Sequence, residues 1–404
     1  MRNKVFIWIV SIIVTIALSV SGTLIAVNAP ILHHSKYVIE FDKDKVDFSS
    51  IKVFYEVLGY LQSEYIDGID MNKVIKGATA GIAASVEDPY TMYVPKKYMK
   101  AMKEQSEGNY IGIGVIITKP TKGDGTLITT VYKDGPADKA GVLPGDLIIS
   151  VNGEDVSGIN DLSYVASKVR GEINTDVSIG VYREVEDKQY DFTITRTEVN
   201  SVEVEGEMLE DGIAYIQIVS FSQDSAYEFV KVVKELTDQG MQKIILDLRD
   251  NGGGDYGAIL NIANILIDKQ LITYTVDKFN KKEEQYARKG SLGLPMVVMV
   301  NGYSASASEM LTGALKDNGL ATIIGETTYG KGLVQAVHTL SDGSGLRVTI
   351  AKYYTPSGVC IQGVGIVPDE VIKPLDKYKN YLSSMIPKED DVVLQRAKEI
   401  LEGK

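Results

Sequence analysis

The chain has 404 residues, 44% of them apolar, enough for two or three domains with real cores rather than one. Its formal net charge of −12 argues against a nucleic-acid binder, which needs clustered Lys and Arg to neutralise phosphates. Cys360 is the only cysteine and the histidines are His33, His34 and His338, which leaves no intramolecular disulfide, no CxxC motif and no His-rich metal site.

Val5–Val27 is an uncharged apolar run of 23 residues, long enough to cross a bilayer core of ~30 Å as a helix. Arg2 and Lys4 precede it, so the N-terminus stays in the cytoplasm and the rest of the chain lies outside, held at the cell membrane by a single span. A cleaved signal peptide ending at Val27-Asn28-Ala29 is the competing reading, with the same address for the remainder.

From Ile31 to Asn109 the pattern is mostly helical. Phe54, Val57, Leu58 and Leu61 recur at helical spacing, and a second helix covers Asn72–Ile82 and stops near Asp88-Pro89. This reads as an amphipathic packing segment, with a homodimerisation arm as the sharper alternative. Gly108–Arg196 then carries short β-branched runs (Ile111–Ile117, Leu127–Val131, Leu147–Val151, Val177–Tyr182, Tyr190–Ile194) and one helical stretch, Asp161–Arg170, as in a compact, partly open barrel. From Ser201 to Pro374 strands and helices alternate: strands at Ile213–Ile218, Lys243–Leu248, Met296–Val300 and Ala321–Ile324, helices at Ser225–Gln239, Tyr256–Ile267 and Ser308–Asn318. That is an α/β layered core, closed by a helix at Asp391–Leu401.

Three motifs carry chemistry. The strand Met296–Val300 runs through Asn301-Gly302-Tyr303 into Ser304-Ala305-Ser306-Ala307-Ser308-Glu309 at the mouth of a helix. Free N–H groups there can hold an oxyanion, and Glu309 suits the positive end of the dipole; a plain N-cap serine is the ordinary alternative. Lys331 lies between two glycines with no acid within four residues, so it can be desolvated without an ion pair nearby in sequence. Burial favours the neutral amine, which can take a serine proton. Gln335 can orient that amine, and contact between the two requires a helical turn, because four residues of strand span about 13 Å. His338 is then a packing residue. The turn Asp250–Asp255, with Gly252, Gly253 and Gly254, lacks a phosphate-loop pattern and suits oxyanion N–H donors.

These motifs resemble those of the C-terminal processing peptidases, or tail-specific proteases, over about Gly59 to Pro374. The markers are Asp88-Pro89-Tyr90-Thr91, Gly112-Ile113-Gly114, Asp247-Leu248-Arg249, the serine cluster, Gly330-Lys331-Gly332, Tyr354-Thr355-Pro356-Ser357-Gly358 and Gly365-Ile366-Val367-Pro368-Asp369. The resemblance implies Ser306 as nucleophile, Lys331 as base, Gln335 as third member, and Gly253 and Ala307 as oxyanion donors. Asp317 matches a position sometimes placed in the family's charge network and reads here as structural; Ser304 and Ser308 become support or capping groups. The resemblance also implies a PDZ domain at 108–196 that takes a protein C-terminus as an added strand at Ile111, Gly112, Ile113 and Gly114. Arg170 could couple that domain to catalysis. The family often has Gly where Asn174 stands and Arg where Val359 stands.

The expectation is a crotonase/ClpP-like layered protease core at 197–376 with an inserted PDZ domain, a helical region at 28–107 and a C-terminal helical segment at 377–404. Its activity would be a membrane-anchored serine endopeptidase acting on proteins with apolar C-termini, with no metal or organic cofactor. A catalytically silent PDZ scaffold and a crotonase-like acyl-CoA enzyme are the readings from other classes.

Overall fold

The computed structural model describes residues 48–96, 98–99, 109–120, 123–159, 162–200 and 202–404. The membrane span expected at 5–27 lies outside them, and among the described residues no helix is long and apolar enough to cross a membrane. The chain divides into two units, Met1–Gly77 and Ala78–Lys404.

In the first unit, helix α1 (Phe48–Glu64) forms where the periodicity places it. The face expected to pack is instead exposed: Phe54, Val57 and Leu61 all face solvent. Helix α2 (Met71–Ala84) runs across the boundary into the second unit.

The second unit begins its sheets with β1 (Met92–Val94), which belongs to the core described below. The next 90 residues form the domain expected to be PDZ-like. Strands β2 (Asn109–Gly112) and β3 (Val115–Thr118) replace the single strand expected over Ile111–Ile117. Gly114, at φ 82°, breaks the run, so β2 pairs with β9 (Thr197–Asn200) and β3 with β4 (Thr126–Val131). A short helix α3 (Pro136–Ala140) follows, then β5 (Asp146–Val151), β6 (Glu154–Asp155), helix α4 (Leu162–Val169), β7 (Asp176–Arg183) and β8 (Lys188–Thr195). The sheet order is β3-β4-β5-β7-β8, leaving β3 at one end of the path. Asn174 adopts φ 62°, the left-handed region that Asn tolerates better than most residues, so it serves where the family often has Gly.

The core sheet runs β10 (Val204–Met208), β11 (Ile213–Ile218), β12 (Lys243–Asp247), β15 (Met296–Val300), β16 (Thr322–Gly325) and β19 (Glu370–Val371). All neighbours after the first pair are parallel. Strands covered on both faces read as continuous apolar runs, and side-chain alternation divides them. Ile244, Leu246 and Val298 pack toward helices α5 (Ser225–Asp238), α6 (Tyr256–Leu266) and α7 (Ala307–Asp317). Ile245, Val297 and Met299 pack toward helix α8 (Val392–Glu402), through Val393, Leu394 and Ala397. A second sheet, β1-β18-β13-β14 with β17 also on β18, lies beside this core. Its strands are β13 (Leu271–Asp277), β14 (Lys282–Tyr286), β17 (Leu333–Thr339) and β18 (Gly345–Tyr354).

Candidate active site

Two strand-to-helix turns meet at the ends of β12 and β15. The flanking serines fasten them. Ser304 Oγ donates to the Leu248 carbonyl at 2.7 Å, and Ser308 Oγ donates to the Asn251 carbonyl at 2.8 Å. The Asn301 amide bridges to Asp250, with Nδ2 donating to Oδ1 at 2.7 Å and the Asp250 N–H returning to Oδ1 of Asn301 at 3.0 Å. Ser304 and Ser308 are therefore support groups, as expected. Beneath the first turn Arg249 is buried between Asp247 and Asp391, at 2.6 and 2.9 Å.

Ser306 occupies the N-cap of α7 with φ 55° and ψ −111°. That region is unfavourable for a side-chain-bearing residue, at a cost of about 1–3 kcal/mol that the surroundings must hold in place. Glu309 supplies much of the restraint. Its fully buried carboxylate accepts the Ser306 N–H at 2.8 Å, the Lys331 N–H at 2.8 Å, the Gly330 N–H at 2.7 Å and the Thr328 hydroxyl at 2.6 Å. Burial pushes its carboxyl above the ordinary value, and these donors offset that only in part. Four donors converge on two oxygens, so the ionised form fits the geometry. Tyr353 completes the frame from the other side, donating its hydroxyl toward the carbonyls of both Ser306, at 2.9 Å, and Lys331.

Lys331 is half-buried, and its Nζ lies 4.8 Å from the centre of the Tyr90 ring. Burial, and then the Arg347 charge, lower its pKa below the ordinary lysine value, with Glu309 opposing. Gln335 is not brought in by a helical turn. It lies on β17, where pairing with β18 keeps the chain extended, with a register shift between Val334 and Gln335. The Gln335 Nε2 instead faces Thr349 Oγ1 across the ladder at 3.5 Å. His338 is exposed on the same strand, so it does not take the packing role expected of it.

Gly253 lies against the nucleophile turn. A Cβ there would stand 2.7 Å from the Ala305 carbonyl oxygen, 2.8 Å from Ser306 Cβ and 2.9 Å from the Ala307 nitrogen, at φ 99°. Its own N–H donates to Asn251 Oδ1 at 2.8 Å. Ala307 is the first residue of α7, so its N–H is one of the helix's orphan donors. Asp317 sits at the far end of α7, accepting from the Ser357 N–H at 2.9 Å, a structural position.

In the PDZ-like domain Ile111 and Gly112 belong to β2, while Ile113 and Gly114 form the bend into β3. Arg170 follows α4 and is half-buried. Glu309 was legible as a helix-start acid three residues past the N-cap. The placements of Tyr90, Arg347, Thr349 and Tyr353 carry no local sequence signal; each depends on pairing with β18 or on membership of it.

Residues 212–372 match the model of peptidase family S41, and residues 127–183 that of a PDZ domain. The carboxy-terminal processing protease CtpB of Bacillus subtilis (strain 168) is 32% identical over 343 residues, covering 83% of this chain and 70% of that protein. A probable CtpA-like serine protease of Staphylococcus aureus (strain COL) is 36% identical over 333 residues, covering 81% of this chain and 66% of that one. The chain thus spans about two thirds of the length of the staphylococcal relatives it matches. The solved photosystem II D1 C-terminal processing protease superposes with a TM-score of 0.64 at 31% identity, over 81% of this chain and 88% of that one.

Proposed function

The chain belongs to peptidase family S41, among its C-terminal processing peptidases, and from that premise we propose a serine endopeptidase that uses a Ser306–Lys331 pair. Ser306 Oγ attacks the carbonyl carbon of a substrate peptide as Lys331 Nζ takes its proton. The tetrahedral oxyanion forms beside the Ala307 N–H and the Gly252–Gly254 turn. The C–N bond then breaks, and Lys331 returns the proton to the leaving amine. Water next attacks the acyl-enzyme through the same base, releasing a carboxylate product and restoring Ser306. Gln335 assists from β17 by ordering the groups beside the base.

The observation that carries this reading is the shared backbone frame. Glu309 accepts from the N–H groups of both Ser306 and Lys331, so nucleophile and base are held by one carboxylate. A half-buried amine with no ion-paired carboxylate among the described residues suits a base that must be neutral.

The PDZ-like domain serves substrate capture. An apolar protein C-terminus would add as a strand along β3, its carboxylate held by backbone N–H groups of the Ile111–Gly114 segment. Arg170 would relay occupancy to the core. The apolar run Val5–Val27 would anchor the enzyme with its catalytic part outside the cytoplasm.

The test uses the full chain in detergent with an unstructured protein ending in apolar residues, beside Ser306→Ala and Lys331→Ala. Cleavage by the native chain alone supports the reading. Equal cleavage by either variant removes that residue from the chemistry.

A further inference from the structure

We infer that the Asp88–Thr91 turn is a fourth component of the catalytic site, whose Tyr90 ring is a positioning group that covers the Lys331 amine and keeps water from it. The inference rests on the reading of Lys331 as the base. The turn touches that base directly through Tyr90, holds the Arg347 whose charge bears on it, and reaches Gln335 through Thr349.

The first route is direct. The Lys331 Nζ stands 4.8 Å from the Tyr90 ring centre, and Tyr90 is itself tied to Tyr329, two residues before the lysine. The Tyr90 hydroxyl stays protonated at neutral pH, because burial, followed by Tyr329, pushes it up to about 12. It therefore covers the amine without offering it a counter-ion.

The second route is a neighbouring cation. Arg347 Nε donates to the Tyr90 carbonyl at 2.9 Å, although the two stand 257 positions apart in sequence. Arg347 is the second cause of the lowered Lys331 pKa, after burial. The turn thus holds in place a like charge that disfavours the ammonium form.

The third route reaches Gln335. The Thr349 hydroxyl bonds to Asp88, and the Gln335 amide faces that same hydroxyl at 3.5 Å. Thr91 Oγ1 accepts the Thr349 N–H at 3.1 Å and donates to Asp88 at 2.6 Å. Burial pushes the Asp88 carboxyl up, but hydrogen bonds from Thr349, Thr91 and Tyr90 and the Arg347 charge outweigh it, so Asp88 remains ionised. The groups that bear on the amine are then Arg347 from β18, Glu309 from α7 and the Tyr90 ring.

Two effects of the ring on the lysine oppose each other. Cation–π attraction favours the ammonium. Exclusion of water favours the amine, and burial is the largest cause of the lowered Lys331 pKa. Removing the ring should therefore make the lysine easier to protonate.

The experiment is a pH titration of the full chain in detergent, labelled with 13C at lysine Cε, with the Lys331 signal assigned by its loss in Lys331→Met. Tyr90→Ala and Tyr90→Gln should move the Lys331 midpoint to higher pH, whereas Tyr90→Phe should leave it near the native value. Tyr90 is only half-buried, and the same spectra report folding. The phosphonylation rate of Ser306 at neutral pH should fall about tenfold for each pH unit of that movement. A depressed native midpoint that Tyr90→Ala and Tyr90→Gln leave in place or lower would overturn the role of the turn while sparing Lys331 as base. An ordinary lysine midpoint in the native chain would overturn both.

Discussion

Glu309 and Lys331 are joined through the backbone rather than through charge. The carboxylate accepts the Lys331 N–H at 2.8 Å, while the lysine's own Nζ lies by the Tyr90 ring. A buried acid thus fixes the backbone of the proposed base without forming the ion pair that would hold it protonated. The same carboxylate takes the Ser306 N–H, so a single side chain sets the backbone on both sides of the reaction.

Glu309→Gln places an amide among four donors where a carboxylate now accepts all of them. Each oxygen accepts two of these donors, so whichever one becomes NH2 two donors lose their acceptor and a backbone N–H is brought face to face with the amide N–H. Stability should fall by about 1–3 kcal/mol, read from denaturant midpoints, and kcat by more than that loss explains under conditions where the variant is fully folded. A variant with native kcat would show that the frame is structural only.

Gly253→Ala puts a methyl group into the Ala305–Ala307 backbone and forces an alanine to φ 99°. Activity should drop by about 10²–10³, the scale seen when an oxyanion donor is lost. Gly252→Ala is the control, since a Cβ there meets nothing within 4 Å. Equal activity in the two variants would remove Gly253 from the site.

Asp391 caps α8, accepting from the Val393 and Leu394 N–H groups, and also pairs with buried Arg249. Asp391→Ala removes both, leaving Arg249 with Asp247 alone. The expected loss is about 3 kcal/mol in urea unfolding, from an incompletely paired buried charge and a missing cap. A loss below about 0.5 kcal/mol, as for a surface pair, would mean that the C-terminal helix does not brace the Gly252–Gly254 turn.

Lys331 also leaves a mark on stability. Its folded-state pKa lies below the unfolded value, through burial and Arg347. Between the two values the unfolded chain holds a proton that the folded chain does not, so stability rises with pH through that window. Lys331→Met removes this dependence. The variant should melt higher than the native chain at neutral pH, with the gap narrowing as pH rises toward the ordinary lysine range. Parallel melting curves across that range would indicate a solvated amine.

Much of the fold was legible because its signals are local. The apolar strands Lys243–Asp247 and Met296–Val300 and the helix after Ser306 lie within one or two residues of expectation. The segment after Lys331 was misjudged. Leu333–Thr339 lacks the clean period-two alternation of a strand, and a helical turn was expected because Gln335 was assumed to touch the lysine directly. Pairing with β18 decides the matter, and it fixes Gln335 against Thr349. Tyr90 could be seen as part of a motif, but its place over Lys331 comes from β1 adding to β18, a pairing of distant segments. The exposed apolar face of α1 shows the converse, a local period with no partner among the described residues of its own unit.

The most direct test of the Ser306–Lys331 pairing is the pH dependence of covalent labelling by a fluorophosphonate, followed by intact mass with peptide mapping. The native chain should take one adduct, on Ser306, at a rate that climbs with pH to a midpoint below the ordinary lysine range. Lys331→Met should lose that pH-dependent rate while remaining folded. Labelling at another residue, or an unchanged rate in Lys331→Met, would contradict a lysine-activated Ser306.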